Sequence, residues 1–150
     1  MTGKNDRPKV CIGVVVLNEK NQFLMLKRAG KYANGQYGTP AGKLEFGETF
    51  EAAAAREVME EVGVKIKNIK YVDVTNYIHQ TERNHTIFIL MAAQMEPGEV
   101  PKNNEPEKHS DMVWADDFLH LPSPIVGEVD IHLRQRQLEQ YLKEVKGVLS

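Results

Sequence analysis

Glu57, Glu60 and Glu61 fall at i, i+3 and i+4 of one short segment, "REVMEEV". If that segment is helical, each step turns by about 100°, and the three carboxylates come to one face. Like charges at these spacings repel, and Glu60 and Glu61 would also lie in the last turn, where the helix dipole disfavours anions. A hard divalent cation offsets both effects. Mg²⁺ takes oxygen ligands, using one or two carboxylates and completing its shell with water and substrate phosphate. The competing account is a solvated acidic face without chemistry. The five histidines, His79, His85, His109, His120 and His132, share no ligand spacing, so a zinc site is not expected. The acids are gathered in a longer stretch, residues 42–64, which holds six glutamates against one Lys and one Arg in a chain of net charge −2.

The flanking pattern supplies the elements that must position these groups. Thr49 is a good N-cap residue, and the helix is predicted over about Phe50 to Val62, with Ala54, Val58 and Val62 on one apolar stripe. Gly63 suits a left-handed C′ residue and Val64 its apolar follow-up. Before it, Lys9 to Asn18 and Phe23 to Arg28 read as strands, joined to the helix by a long Gly-rich connection from Ala29. After it, Asn68 to His79 and His85 to Gln94 read as strands around a hairpin turn at "TERN". "MVWADDF" reads as a short strand entering a turn or helix, and Ile131 to Val145 as an amphipathic helix. The order is β-β-loop-α-β-β-β-α, an α+β chain with a mixed sheet.

The chain of 150 residues suits one domain spanning residues 1–150. No apolar run approaches a membrane span, and the start, "MTGKNDRPKV", lacks a signal peptide's apolar stretch. The single cysteine, Cys11, excludes an internal disulfide framework and is expected to be inert in its apolar strand. A cytoplasmic location is the expectation. Near-neutral charge and the lack of a basic stripe argue against nucleic acid or a membrane as partner.

The stretch from Gly42 to Val64 resembles the signature of the Nudix family, G-x5-E-x7-R-E-U-x-E-E-x-G-U with U apolar. Gly42, Glu48, Arg56, Glu57, Val58, Glu60, Glu61, Gly63 and Val64 match it at every fixed position. The resemblance implies the Nudix fold, a mixed β-sheet sandwiched between helices. It also implies hydrolysis of a nucleoside diphosphate linked to another moiety, with Mg²⁺ as cofactor and Mn²⁺ as a stand-in. Glu57 and Glu61 would be the principal ligands and Glu60 a third carboxylate. Arg56 would hold the glutamates in place, and Glu48 would complete that support or bind a further ion. Many members have Pro-Gly-Gly at the entry, where this chain has Pro40-Ala41-Gly42. A metal contact there would use the Ala41 backbone carbonyl, so the change should not abolish metal binding.

Outside the signature, Arg28, with Lys27, is a candidate phosphate grip, since Arg suits bidentate phosphate contacts; a solvated strand end is the alternative. Tyr37 would stack on a base or simply pack. Glu107, and after it Glu105, is the candidate for a further carboxylate, as metal ligand or general base, against a reading as ordinary loop acids. Trp114 is expected in the core at a strand end, or lining the substrate pocket. The base would lie between Gly35 to Thr39 and Leu119 to Gly127. "LEFGET" and "EPEK" resemble the MutT-like branch, which implies cleavage of nucleoside triphosphates to monophosphate and pyrophosphate, as in nucleotide-pool sanitisation. ADP-ribose and dinucleoside polyphosphates are the alternative substrates, although the marks for the first and for NADH cleavage are missing. A non-catalytic nucleotide sensor is the reading from another class, and the complete signature disfavours it. A homodimer is expected on the resemblance alone.

Overall fold

The computed structural model describes residues 6–30, 33–79, 83–127 and 130–146. The centre of its sheet is β1 (Lys9–Leu17), which runs parallel to β6 (Asn84–Met95) from Lys9↔Thr86 to Leu17↔Gln94. β5 (Ile66–His79) lies antiparallel on the outer side of β6. On the other side β1 forks. It meets β2 (Phe23–Arg28) at Leu17↔Phe23, and at its opposite end it pairs antiparallel with β4 (Ala41–Lys43). β2 also carries β3 (Tyr37–Gly38) and β7 (His109–Ala115), both antiparallel, so the sheet has seven strands. The expected mixed sheet and α+β class are what the chain forms.

Strand alternation divides the core into two layers. Ile12, Val14, Val16, Leu24, Leu26, Ile89 and Met91 turn to one face and bury the Ala53, Ala54, Val58 and Val62 stripe of α1 (Phe50–Val62). Val15, Leu17, Phe23, Met25, Leu90 and Ala92 turn to the other, under Leu138 and Tyr141 of α2 (Ile131–Lys146). The sheet thus lies between helices, as the resemblance implies.

The helix ends follow from local chemistry. The Ala52 N–H donates to Thr49 Oγ1 at 3.0 Å, and Gly63, at φ 70°, donates its N–H to Met59 O at 3.0 Å. A 3₁₀ turn over Phe118–His120 follows β7. The long connection before α1 contains β3 and β4, which were not expected from the sequence. The "TERN" turn lies partly outside the described residues. Trp114, expected in the core, is 36% exposed on β7. Among the described residues no helix is long and apolar enough to cross a membrane.

Candidate functional site

β4 delivers the entrance of the signature to the inner edge of α1. Gly42 lies so close to the helix that a Cβ there would stand 2.1 Å from the Glu57 carboxyl group. Any side chain at this position would displace Glu57. The next residue back, Ala41, donates its N–H to Glu61 Oε2 at 3.1 Å. Ala41 thus meets the cluster through its N–H, and its carbonyl is the group that the resemblance offers to a metal.

Arg56 organises the outer half of the cluster. Its Nε donates to Glu48 Oε2 at 2.6 Å and its Nη2 to Glu48 Oε1 at 2.8 Å, a two-point grip. Nη2 also reaches Lys43 O at 3.0 Å, while Nη1 donates to Glu57 Oε1 at 2.7 Å. The Glu45 N–H adds a further bond to Glu48 Oε1 at 2.8 Å. Held this way, the Glu48 carboxyl titrates at about 2, chiefly because of the Arg56 hydrogen bond. Of the two roles left open for Glu48, support of Arg56 is the one its bonding occupies.

The inner half is different. Glu61 is 5% exposed, and among the described residues its side chain accepts one hydrogen bond, from the Ala41 N–H. Burial, then the charge of Glu57, pushes its carboxyl up to about 8. Burial also raises Glu57, and the Arg56 hydrogen bond opposes that rise. Glu60 does not share this environment. Its side chain is 55% exposed and lies 3.4 Å from Arg56 Nη1. The common face expected for the three glutamates is thus corrected. At about 100° per residue, Glu60 and Glu61 lie on opposite sides of Glu57, and the face turned to β4 takes Glu57 and Glu61 only.

Among the described residues no three His, Cys, Asp or Glu side chains converge as a ready-made metal set. The donor pair Glu57 and Glu61 nevertheless fits Mg²⁺ or Mn²⁺, which are hard ions suited to carboxylate, water and phosphate oxygen.

The loop after β6 brings a further acid to this place. Glu105 is half-buried, its charge acts on both Glu57 and Glu61, and Lys108 Nζ lies 2.9 Å from it. Glu107, the first choice from the sequence, is exposed, and its charge acts on Lys108 and His109. The loop turns at Pro106 and sends the two neighbouring acids to different surroundings. His109 is buried without a partner for Nδ1, and burial together with Arg28 lowers its pKa.

Alternation separates Lys27 from Arg28. Arg28 faces His109 across β2 and β7, and its charge bears on His109 and Cys11, so it stands on the side of the acidic cluster. Lys27 lies over the ring of Tyr37, with Nζ 5.9 Å from the centroid. Tyr37 is fastened at both backbone groups: its N–H donates to Pro124 O at 2.7 Å and its carbonyl accepts from the Val126 N–H at 2.8 Å. The two stretches expected to flank a base therefore meet at Tyr37. Sequence reasoning missed Asn103 and Asn104, which fasten the loop carrying Glu105; the doubled amide in "NNEPE" was the available signal.

The profile of the family described as "NUDIX domain" matches residues 7–120. An NAD-capped RNA hydrolase NudC of Chromobacterium violaceum is 35% identical over 121 residues, 79% of this chain and 43% of that protein. One from Pseudomonas aeruginosa is 30% identical over 146 residues, 97% of this chain and 49% of that protein. The chain thus spans about half the length of the curated relatives it matches. A MutT NUDIX hydrolase from Burkholderia pseudomallei superimposes with a TM-score of 0.74 at 26% identity, covering 89% of this chain and 98% of that one. With the signature, the sheet between two helix layers and the glutamate pair already in place, the match settles the relationship: the chain belongs to the Nudix family of hydrolases, which act on pyrophosphate bonds.

Proposed function

We propose that the chain hydrolyses nucleoside triphosphates to monophosphate and pyrophosphate with Mg²⁺ held at Glu57 and Glu61. The observation that carries this reading is the buried glutamate pair, one turn apart, with no cationic partner at bonding distance of Glu61 among the described residues while Glu48 has one. When bound, the cation neutralises the polyphosphate, polarises the phosphoryl oxygen and lowers the pKa of a water. Glu57 and Glu61 hold the bound assembly against β4, and Arg56 fixes Glu57 from behind. Arg28 grips a phosphate on the same side of the sheet. Glu105 is the carboxylate placed to accept a proton from water or to join the ligand set. Tyr37 and the segment fastened to it flank the base. Most of the rate enhancement in such a site comes from positioning and charge stabilisation.

The likeness of "LEFGET" and "EPEK" to nudix hydrolase 15 supports the triphosphate as substrate. The names of the Chromobacterium and Pseudomonas relatives favour a second reading, in which the pyrophosphate of an NAD-type dinucleotide is cleaved. Incubation with canonical and oxidised NTPs and dNTPs, NAD, ADP-ribose and dinucleoside polyphosphates, with Mg²⁺ or Mn²⁺, separates these. Pyrophosphate and monophosphate from a triphosphate are expected. Turnover of NAD or ADP-ribose without any triphosphate moves the assignment to the second reading. Binding of nucleotide without turnover identifies a sensor. A homodimer in the cytoplasm belongs to the same reading, and light scattering on the purified protein tests the dimer.

A further inference from the structure

The connection from β6 to β7 is fastened at both ends. The Lys102 N–H donates to Val62 O and the Asn104 N–H to Glu61 O, each at 3.0 Å, so the loop satisfies carbonyls that α1 leaves open at its end. The Asn104 side chain lies against Gly63, with Nδ2 3.0 Å from where a Cβ would be. Asn103 then closes the loop on itself. Its Nδ2 donates to His109 O at 2.7 Å and its Oδ1 accepts from the Glu105 N–H at 3.2 Å. The His109 N–H returns to Glu105 O at 3.0 Å. Glu105 is therefore bound on its N–H side by Asn103 and on its carbonyl side by His109, while the residue before it is bonded to the helix that carries Glu57 and Glu61.

We infer that Asn103 is a positioning residue of the reaction: it holds the backbone of Glu105 so that this carboxylate stands against the Glu57–Glu61 pair as the third acid of the site. Asn104 docks the same loop on α1. The inference rests on the reading that the glutamate pair binds the cation with its nucleotide. Hydrogen bonds that orient a metal-site carboxylate are worth roughly 10–100-fold in metal affinity or turnover. The chemistry of the amide matters, since one side chain must donate to a carbonyl and accept from an N–H at once. Asp can do only the second of these.

A double-mutant cycle tests it. Asn103→Ala, Glu105→Gln and the double variant are compared by turnover at saturating Mg²⁺, by Mn²⁺ affinity of the metal-free protein from water-proton relaxation, and by Tm. Asn103→Ala and Glu105→Gln should each lower turnover or Mn²⁺ affinity by roughly 10–100-fold. The double variant should be no worse than Glu105→Gln, because both changes remove one device. Multiplying losses overturn the inference, as does an Asn103→Ala protein with a lowered Tm and unchanged turnover and Mn²⁺ affinity. If Asn103→Ala fails to fold, Asn103→Asp keeps the shape and the acceptor, and its losses should again vanish in the Glu105→Gln background. Glu57→Gln separates the two layers of the claim. Unchanged Mn²⁺ affinity in that variant overturns the metal-site reading and this inference together. Lost Mn²⁺ affinity with neutral Asn103 variants overturns the inference alone.

Discussion

The acidic stretch has two halves that treat charge in opposite ways. Around Arg56, the protein supplies its own cation: Glu48 takes the Nε and Nη2 edge of the guanidinium, which holds its carboxyl down to about 2. Further along the helix, Glu61 is more deeply buried, accepts the Ala41 N–H as its hydrogen bond among the described residues, and is pushed up to about 8. Glu48, with both oxygens taken by Arg56, serves the architecture. A carboxylate that is buried and left short of positive charge is destabilising until a ligand brings that charge. The contrast lies within one 13-residue helix and its lead-in, and on the proposed reading it separates scaffold from binding site.

The largest effect should come from removing the uncompensated half. Glu61→Gln keeps shape and size but discards the charge, and turnover should fall by about 100-fold or more. Its metal-free Tm below about pH 8 should not fall, since Gln replaces a carboxyl that is protonated there; a lower Tm with intact turnover would reverse the assignment of the two halves. Next comes Arg56→Lys. A point charge cannot make the two-point grip on Glu48 and reach Glu57 as well, so this variant should lose several degrees of Tm as well as roughly tenfold in turnover. The pH dependence of the chelated protein sharpens the contrast. Between about pH 4.5 and 8 the folded state binds a proton at Glu61 that the unfolded chain has released, so stability from this group declines as pH rises through that window. Glu48 has the opposite sign: its contribution is present above about pH 4.5 and disappears as pH falls through about 2. Thermal unfolding in EDTA across pH 5–8 should show the first decline, and Glu61→Gln should flatten it. Smallest of all, Glu107→Gln should alter turnover by no more than about twofold, the scale of an ordinary surface change.

What was legible in the sequence was whatever depends on near neighbours. Thr49, Gly63 and the alanine-valine stripe define α1 within a few residues, and its observed bounds coincide with the predicted ones. β3 and β4 were not legible. They have two and three residues and exist only because β2 and β1 are there to pair with them. The signature grouped Glu57, Glu60 and Glu61 but did not show that Glu57 and Glu61 are buried and Glu60 exposed, since helical spacing alone cannot say which side of Glu57 the sheet occupies. The different burial of Glu105 and Glu107 was not legible either, because the loop that carries them is held by hydrogen bonds from Asn103 and Asn104 to residues on β7 and α1. Trp114 was misplaced because an aromatic at a strand end reads as core unless the outer face of that strand is known to be open.

The parallel pairing of β1 with β6 has a consequence for the order of assembly. Lys9 cannot find Thr86 until the ribosome has made everything between them, including the whole of residues 42–64. The loop-closure entropy of that long-range pairing must be overcome before the central strand has both neighbours. The acidic helix is therefore synthesised well before the sheet that will bury it is complete. In the nascent chain Glu57 and Glu61 are still hydrated, at ordinary carboxylate pKa values. Their tension arises only with the last steps of folding, so the demand for a cation is a property of the finished domain.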